Sequence, residues 1–233
     1  MQFIIKTRSK TSRARAGIIT TPHGKIQTPY LIPVATSAIV RGLDQKDMES
    51  LGAEVLLANT YHLHLRPGEK IVKKLGGLHK FMNWHKPLFT DSGGFQAFSL
   101  GYGMEHNINK IGSFFPGSKT TGKEDRQEKR AVIDDNGVTF KAHGSGKLIH
   151  LNPKKSIKIQ QALGADIILA FDECTSPLSG YEYTKKAMER THKWAKESLY
   201  YHKKSLKAKK NKKYGIQSLY GIVQGGEYKD LRL

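Results

Sequence analysis

The stretch "KPLFTDSGGFQAFSL", Lys86–Leu100, sets an aspartate, a serine and two glycines directly behind a short apolar run. Pro87-Leu88-Phe89-Thr90 has the length and character of a buried strand. In parallel α/β folds ligands sit beyond the carboxyl ends of the strands, and Asp91 falls at that place. Gly93 and Gly94 let the backbone approach a ligand closely or take a positive φ. A plain strand-ending turn explains the same residues equally well, because Asp, Ser and Gly are common turn formers. The neighbouring segments decide between the two.

Outward from this stretch, apolar runs alternate with helical patterns. Gly17–Thr21 and Lys25–Thr28 flank the turn Pro22–Gly24 and predict an antiparallel element at the N-terminal end. "YLIPVAT" (Tyr30–Thr36) is a first apolar run, "AEVLLANT" (Ala53–Thr60) a second and "PLFTD" a third. Helices are expected in "LDQKDMESLGA", closed by Gly52, and in "EKIVKKLGG", closed by a glycine C-cap. "GVTFKAHGSGKLIHL" (Gly137–Leu151) predicts an inserted β-hairpin turning at Gly144-Ser145-Gly146. Asn152 and Pro153 stand in N-cap and N1 order ahead of the helical "KKSIKIQQALG". "ADIILAFDE" (Ala165–Glu173) is a fourth run and "IQSLYGIVQGG" (Ile216–Gly226) a fifth. Between them lies a long amphipathic helix, Gly180 to about Ser205, whose face Ala187, Thr191, Trp194, Ala195 and Leu199 reads as core packing.

Five apolar, two-sided strands alternating with helices argue for a parallel α/β sheet. Four exits carry polar residues: Asn59-Thr60-Tyr61-His62, Asp91-Ser92, Asp172-Glu173-Cys174 and Gln224-Gly225-Gly226. That repetition favours a site over a turn. It predicts a (β/α)8 TIM barrel with its active site in the βα loops, about five of the eight strands being present in this chain. Residues 101–130 have no clean period, are rich in charge and glycine at their end, and are expected to be a flexible insertion.

The net charge of +19 over 233 residues points to a nucleic-acid partner, since phosphate neutralisation dominates such binding. The densest run, His202–Gly215, holds Lys203, Lys204, Lys207, Lys209, Lys210, Lys212 and Lys213 with almost no aromatic interleaving. It reads as a solvated loop able to contact phosphate and not bases. A single cysteine, Cys174, excludes an intramolecular disulfide framework and fits the cytoplasm. No apolar run reaches the roughly 18 residues of a membrane span, and the N-terminal apolar stretch is too short for a signal-peptide core.

The chain resembles the tRNA-guanine transglycosylases, or queuine tRNA-ribosyltransferases, of the bacterial type. The resemblance is carried by "TPHGKIQTPYLIPVAT", "GAEVLLANTYHLHLRPG", "FTDSGGFQAFSLG", "GVTFKAHGSGKLIHLNP", "ALGADIILAFDECT" and "YGIVQGGEYKDLR". It implies a TIM-barrel enzyme of queuosine biosynthesis that exchanges the wobble guanine of a tRNA anticodon for 7-aminomethyl-7-deazaguanine through a covalent ribosyl intermediate. By the same resemblance Asp91 is the general acid/base. Ser92, Gly93, Gly94 and Phe95 shape the base pocket, with Phe95 stacking on the heterocycle. Asp172 binds the polar edge of the base, Gln224 and Gly225 contact its carbonyl, and Asn59, Gln96 and Cys174 line the pocket. The chemistry agrees, because guanine offers N1–H and an amine as donors and O6 as acceptor.

The resemblance also implies a homodimer, a nucleophilic aspartate and a Cys₃His zinc site, the last two lying beyond Leu233. No metal ligand set is expected within this chain, and residues 1–233, as the N-terminal portion of a single catalytic domain, are expected to be inactive alone. Two other readings remain. His62-x-His64 behind a strand is a metal-ligand spacing found in barrel amidohydrolases, although the later exits offer no further histidine. A shortened, non-catalytic paralogue that binds RNA or pairs with a subunit fits the strand count.

Overall fold

In the computed structural model, residues 1–95, 131–141, 146–207 and 217–232 are described. The 101–130 insertion, Gln96, the hairpin turn at 144–145 and the lysines from 209 to 213 lie outside those residues.

The chain opens with a three-stranded antiparallel sheet of β1 (Gln2–Arg8), β2 (Arg15–Thr21) and β3 (Gly24–Thr28). The β2–β3 pair is the hairpin that the sequence predicts; β1, a strand with no clean apolar alternation, is an addition to it. A second sheet contains β4 (Val34–Ala35), β5 (Leu56–Ala58), β6 (Leu88–Thr90), β10 (Ile167–Leu169) and β11 (Ser218–Tyr220). All its pairings are parallel. Each strand lies beside its predecessor in this sheet, so the order never reverses and all five carboxyl ends open on one side. This is the mixed α/β architecture expected from the five apolar runs, with the paired core of each strand only two or three residues long.

Two-sided burial explains why those runs are continuous. Leu56, Ala58 and Leu88 face a large core with Trp84, Leu163 and Trp194, while Val55, Phe89 and Ile167 face a second one. Ile26 of β3 enters that second core, and partly buried Ile19 of β2 packs against it. Successive side chains on a strand point to opposite faces, so neither face can be polar here.

Helix α1 (Gln45–Ser50) starts with a reciprocal capping box between Asp44 and Asp47 and ends before Gly52. The short helices α2 (Thr60–Leu65), α3 (Glu69–Lys74) and α4 (Leu78–Met82) follow, of which the sequence pattern reveals only α3. A third sheet of β7 (Ala131–Asp134), β8 (Gly137–Lys141) and β9 (Leu148–Leu151) contains the expected hairpin and one further strand. Helix α5 (Pro153–Leu163) has Asn152 as N-cap, its side chain accepting from Lys155 N–H at 2.9 Å, and Pro153 in the first turn. It packs on α3 and on α6 (Tyr181–Lys207).

The buried stripe of α6 differs from the expected one. It runs Thr184, Ala187, Thr191, Trp194, Ser198 and His202, and Leu199 is exposed. The reason is backbone demand beyond β10. Ser198 Oγ accepts from Phe171 N–H at 3.2 Å and Thr191 Oγ1 from Glu173 N–H at 3.0 Å. Buried N–H groups without a ladder partner need such acceptors, so hydroxyls displace leucine from the stripe.

Candidate active site at the strand exits

Asp91 follows β6 and Asn59 follows β5, so the two exits are neighbours. One Asp91 carboxylate oxygen accepts from the Asn59 side-chain amide, and the other accepts from Thr60 N–H at 2.7 Å. Asn59 is the N-cap of α2, yet its side chain caps nothing there. Its amide is turned to the carboxylate instead, leaving the ordinary local preference of asparagine unmet. Functional sites are where such local rules give way.

Asp172, two residues beyond Ala170, is buried, with 7 % of its surface exposed. Ser92 Oγ donates to its Oδ1 at 2.6 Å and Gln224 Nε2 donates to its Oδ2 at 2.9 Å. Three strand exits thus meet at one carboxyl group. Burial raises the Asp172 pKa above the ordinary carboxylate value; the two hydrogen bonds oppose that and the nearby Asp91 charge adds to it. Such a group gains from further donors, since each one stabilises its ionised form.

Ser92 is held from both sides. Its hydroxyl accepts from Gly94 N–H at 2.9 Å, and its carbonyl accepts from Ser156 Oγ at 2.6 Å. Ser156 in turn accepts from Gln160 Nε2, whose amide also bonds Thr90 Oγ1 and both backbone groups of Leu169. This buried chain fixes α5 to β6 and β10. Sequence reasoning misses Gln160; its signal is a polar side chain buried with Ser156 and Gln161 among the apolar residues of the helix.

Gly94 has no room for a side chain. A Cβ there would stand 2.3 Å from the Asp172 carbonyl oxygen and 2.7 Å from its Oδ1. Gly94→Ala should therefore displace the Asp172 loop, costing about 1–3 kcal/mol of stability as overpacking does. An unchanged melting temperature would contradict the close approach. Gly225 is likewise required, with φ +118° and a Cβ position 2.9 Å from the Leu231 carbonyl oxygen. Phe95, the residue after Gly94, is exposed.

Glu173 is fully enclosed and takes no part in the Asp172, Ser92 and Gln224 cluster. Its carboxylate is held by Arg190 and by Tyr183 OH at 2.8 Å, and Arg190 also bonds Asp135 of the β7–β8 turn at 3.2 Å. The pair anchors the Asp172 loop to α6. Cys174 is a thiol, its pKa pushed up to about 11 by burial and the neighbouring Asp172. That suits a small pocket-lining residue and opposes a redox or ligand role. With one unreactive cysteine, these residues do not fit the thiolate-rich zinc centre that the resemblance implies.

His62 and His64 do not converge. His64 Nδ1 pairs with Glu69 at 2.7 Å. His62 lies half-buried near Asp91 and Arg41, with its pKa lowered by burial against the pull of Asp91 and with the help of Arg41. Among the described residues, the three-donor group close enough to hold a metal contains neither. The amidohydrolase reading loses its basis.

Comparison with known proteins identifies the family. The family profile of queuine tRNA-ribosyltransferase matches residues 9–233. An Archaeoglobus fulgidus protein whose name includes queuine tRNA-ribosyltransferase is 51 % identical over 237 residues, covering 100 % of this chain and 56 % of that protein. The queuine tRNA-ribosyltransferase of Acetivibrio thermocellus is 45 % identical over 232 residues, covering 100 % of this chain and 52 % of its own length. That of Shouchella clausii is 44 % identical over 228 residues, covering 98 % and 51 %. The chain spans about half the length of the curated relatives it matches. It belongs to the queuine tRNA-ribosyltransferase family.

Proposed function

We propose that this chain supplies the base-recognition and proton-transfer half of a tRNA-guanine transglycosylase. The observation that carries the reading is the buried Asp172 carboxyl, tied to Ser92 and Gln224 and close enough to Asp91 to feel its charge. A carboxylate, an amide and a glycine backbone at one end of a parallel sheet match the donor and acceptor edge of guanine. Asp172 would take N1–H and the exocyclic amine, and Gln224 with Gly225 N–H would hold the carbonyl. Phe95 would stack on the ring, and Asn59 and Cys174 would line the pocket, as would Gln96.

In the exchange the bond between ribose C1′ and guanine N9 breaks, C1′ passes to a carboxylate nucleophile, and the incoming base forms the new bond. Asp91 would give a proton to the leaving guanine and take one from N9 of the incoming 7-deazaguanine, so one residue serves both steps. The nucleophile is placed by resemblance beyond residue 233. Covalent capture is what lets one base leave before the other arrives.

The same reading makes the five sequentially ordered strands part of a (β/α)8 barrel within a catalytic domain, in a cytoplasmic, homodimeric, zinc-containing enzyme acting on tRNA and a free base. No helix among the described residues is long and apolar enough to cross a membrane. The test is incubation of the full-length protein with tRNA and labelled guanine, without ATP. Label should appear at the anticodon wobble position; a folded protein that incorporates none would overturn the reading.

Charge supplies a separate prediction. Lys203, Lys204 and Lys207 are exposed at the end of α6. Neutralising them together with Lys209, Lys210, Lys212 and Lys213 should flatten the dependence of log affinity for tRNA on log salt by about 0.7–0.9 per lost phosphate contact. An unchanged slope would assign the run to solubility.

A further inference from the structure

The amino ends of the parallel strands, opposite the base pocket, hold a second cluster. Asp166 immediately precedes β10 and its side chain is fully enclosed. Its Oδ2 accepts from Leu88 N–H, at the start of β6, at 3.0 Å. Its Oδ1 lies 2.7 Å from His23 Nδ1, on the turn between β2 and β3. His79 of α4 stacks on His23 with ring centroids 3.6 Å apart and 20° between the planes, and places Nε2 3.3 Å from Asp166 Oδ2.

The tautomer of His79 follows from its other nitrogen. Nδ1 lies 3.1 Å from the Trp84 carbonyl oxygen, which can only accept, so Nδ1 carries hydrogen. In the neutral ring Nε2 then presents a lone pair. That atom is buried and makes no hydrogen bond among the described residues, although a carboxylate oxygen stands 3.3 Å away. Two lone pairs facing each other out of water repel, so the contact is held either by a proton on Nε2 or by a cation between the two atoms.

We propose that His23, His79 and Asp166 form a binding site for a divalent transition metal, best suited to zinc. Zinc takes imidazole nitrogen and carboxylate oxygen at about 2.0–2.2 Å, so two ligands of a tetrahedral ion stand roughly 3.3 Å apart. The His79–Asp166 separation already has that value. All three donor atoms lie within 4.8 Å of one another. Two imidazoles and one carboxylate are a ligand set for zinc and its neighbours in the first transition row, with the fourth position left to water.

Stacked rings cannot both aim a lone pair at one ion, so binding requires the His23 ring to swing off His79 and exchange its Asp166 hydrogen bond for the metal. The rest of the surroundings suit a ligand set. A metal-binding histidine donates its other N–H to a carbonyl or carboxylate, and His79 does so to Trp84. Asp166 is oriented by Leu88 N–H. The His23 side chain is 32 % exposed, which gives an ion a path in. An ion here would tie the antiparallel sheet, α4 and two strands of the parallel sheet together, so its effect is on stability. The site shares no residue with the base pocket and contains no cysteine, which separates it from the thiolate-rich zinc that the family resemblance implies.

The test uses the full-length protein, stripped of metal by a chelator and titrated with Co²⁺ and then Zn²⁺. Beyond the equivalent taken by the thiolate-rich site, a further equivalent of Co²⁺ should add visible ligand-field bands with no added thiolate-to-cobalt charge transfer, and Zn²⁺ should raise the melting temperature. His23→Gln, a change on a half-exposed turn that leaves the Asp166–Leu88 bond in place, should remove that equivalent. It should weaken zinc binding there by at least about 10–100-fold, the loss that even an outer-shell partner causes. Equal metal stoichiometry and equal zinc-dependent melting in wild type and His23→Gln would overturn the site and leave a protonated His79 beside Asp166 as the cation.

Discussion

Replacing Asp91 by Asn in the full-length protein is expected to slow guanine exchange by about 10²–10⁴-fold, the contribution of a positioned general acid/base. Affinity for tRNA should stay nearly unchanged. The substitution is close to isosteric. Asp91 accepts from the Asn59 amide and from Thr60 N–H. An asparagine can keep the Thr60 bond through its carbonyl, and rotation of the Asn59 amide accommodates the new N–H₂. The fold is therefore preserved while the exchangeable proton is lost. Incorporation of labelled guanine into tRNA at the wild-type rate would remove Asp91 from the chemistry. A large loss of tRNA affinity would show instead that it binds the substrate.

Asp172→Ala should weaken binding of free 7-deazaguanines by on the order of 2–4 kcal/mol, about 30–1000-fold. The loss combines a charge-assisted hydrogen bond with stranded partners. Ser92 Oγ and Gln224 Nε2 would be left without the acceptor they now share. The same carboxyl gives a pH dependence with a definite sign. Its pKa is raised in the fold, first by burial. Its protonated form is thus favoured by folding, and the stability this contributes is fully present below the unfolded value of about 3.9. It is lost as pH rises through the raised, folded value.

Asp172→Asn, which cannot ionise, should match wild-type stability at low pH and gain on it as pH rises. Base binding has the opposite sign, because N1–H and the amine favour the ionised carboxylate, so wild-type affinity should fall as acid protonates Asp172. Melting curves that run parallel across pH, together with calorimetry showing an unchanged dissociation constant, would remove Asp172 from the pocket.

The sheet and the pocket were legible in sequence for one physical reason. Strands buried on both faces read as continuous apolar runs, so each exit is marked by the first polar residue after the run. Asp91, Asp172 and Gln224 could all be found that way, and Asn59 with them. What stayed hidden depends on partners far along the chain. Glu173 shares a polar exit with Asp172, and only the approach of Arg190 and Tyr183 from α6 shows it to be an anchor. His23, His79 and Asp166 are brought together across 143 residues of separation, with no local pattern to announce them. Leu199 was misassigned because hydrophobic periodicity carries no information about backbone groups that need hydroxyl acceptors, which Thr191 and Ser198 provide. Helix α2 escapes a sequence reading because its six residues are too few for helical periodicity to show.

A crystal structure of the full-length protein with 7-aminomethyl-7-deazaguanine tests the central claim most directly. The account predicts the base between the exits of β6, β10 and β11, its N1–H and amine on Asp172, its carbonyl on Gln224 and Gly225, and its N9 turned toward Asp91. A base bound elsewhere, or one in this pocket with its polar edge turned away from Asp172, would contradict it.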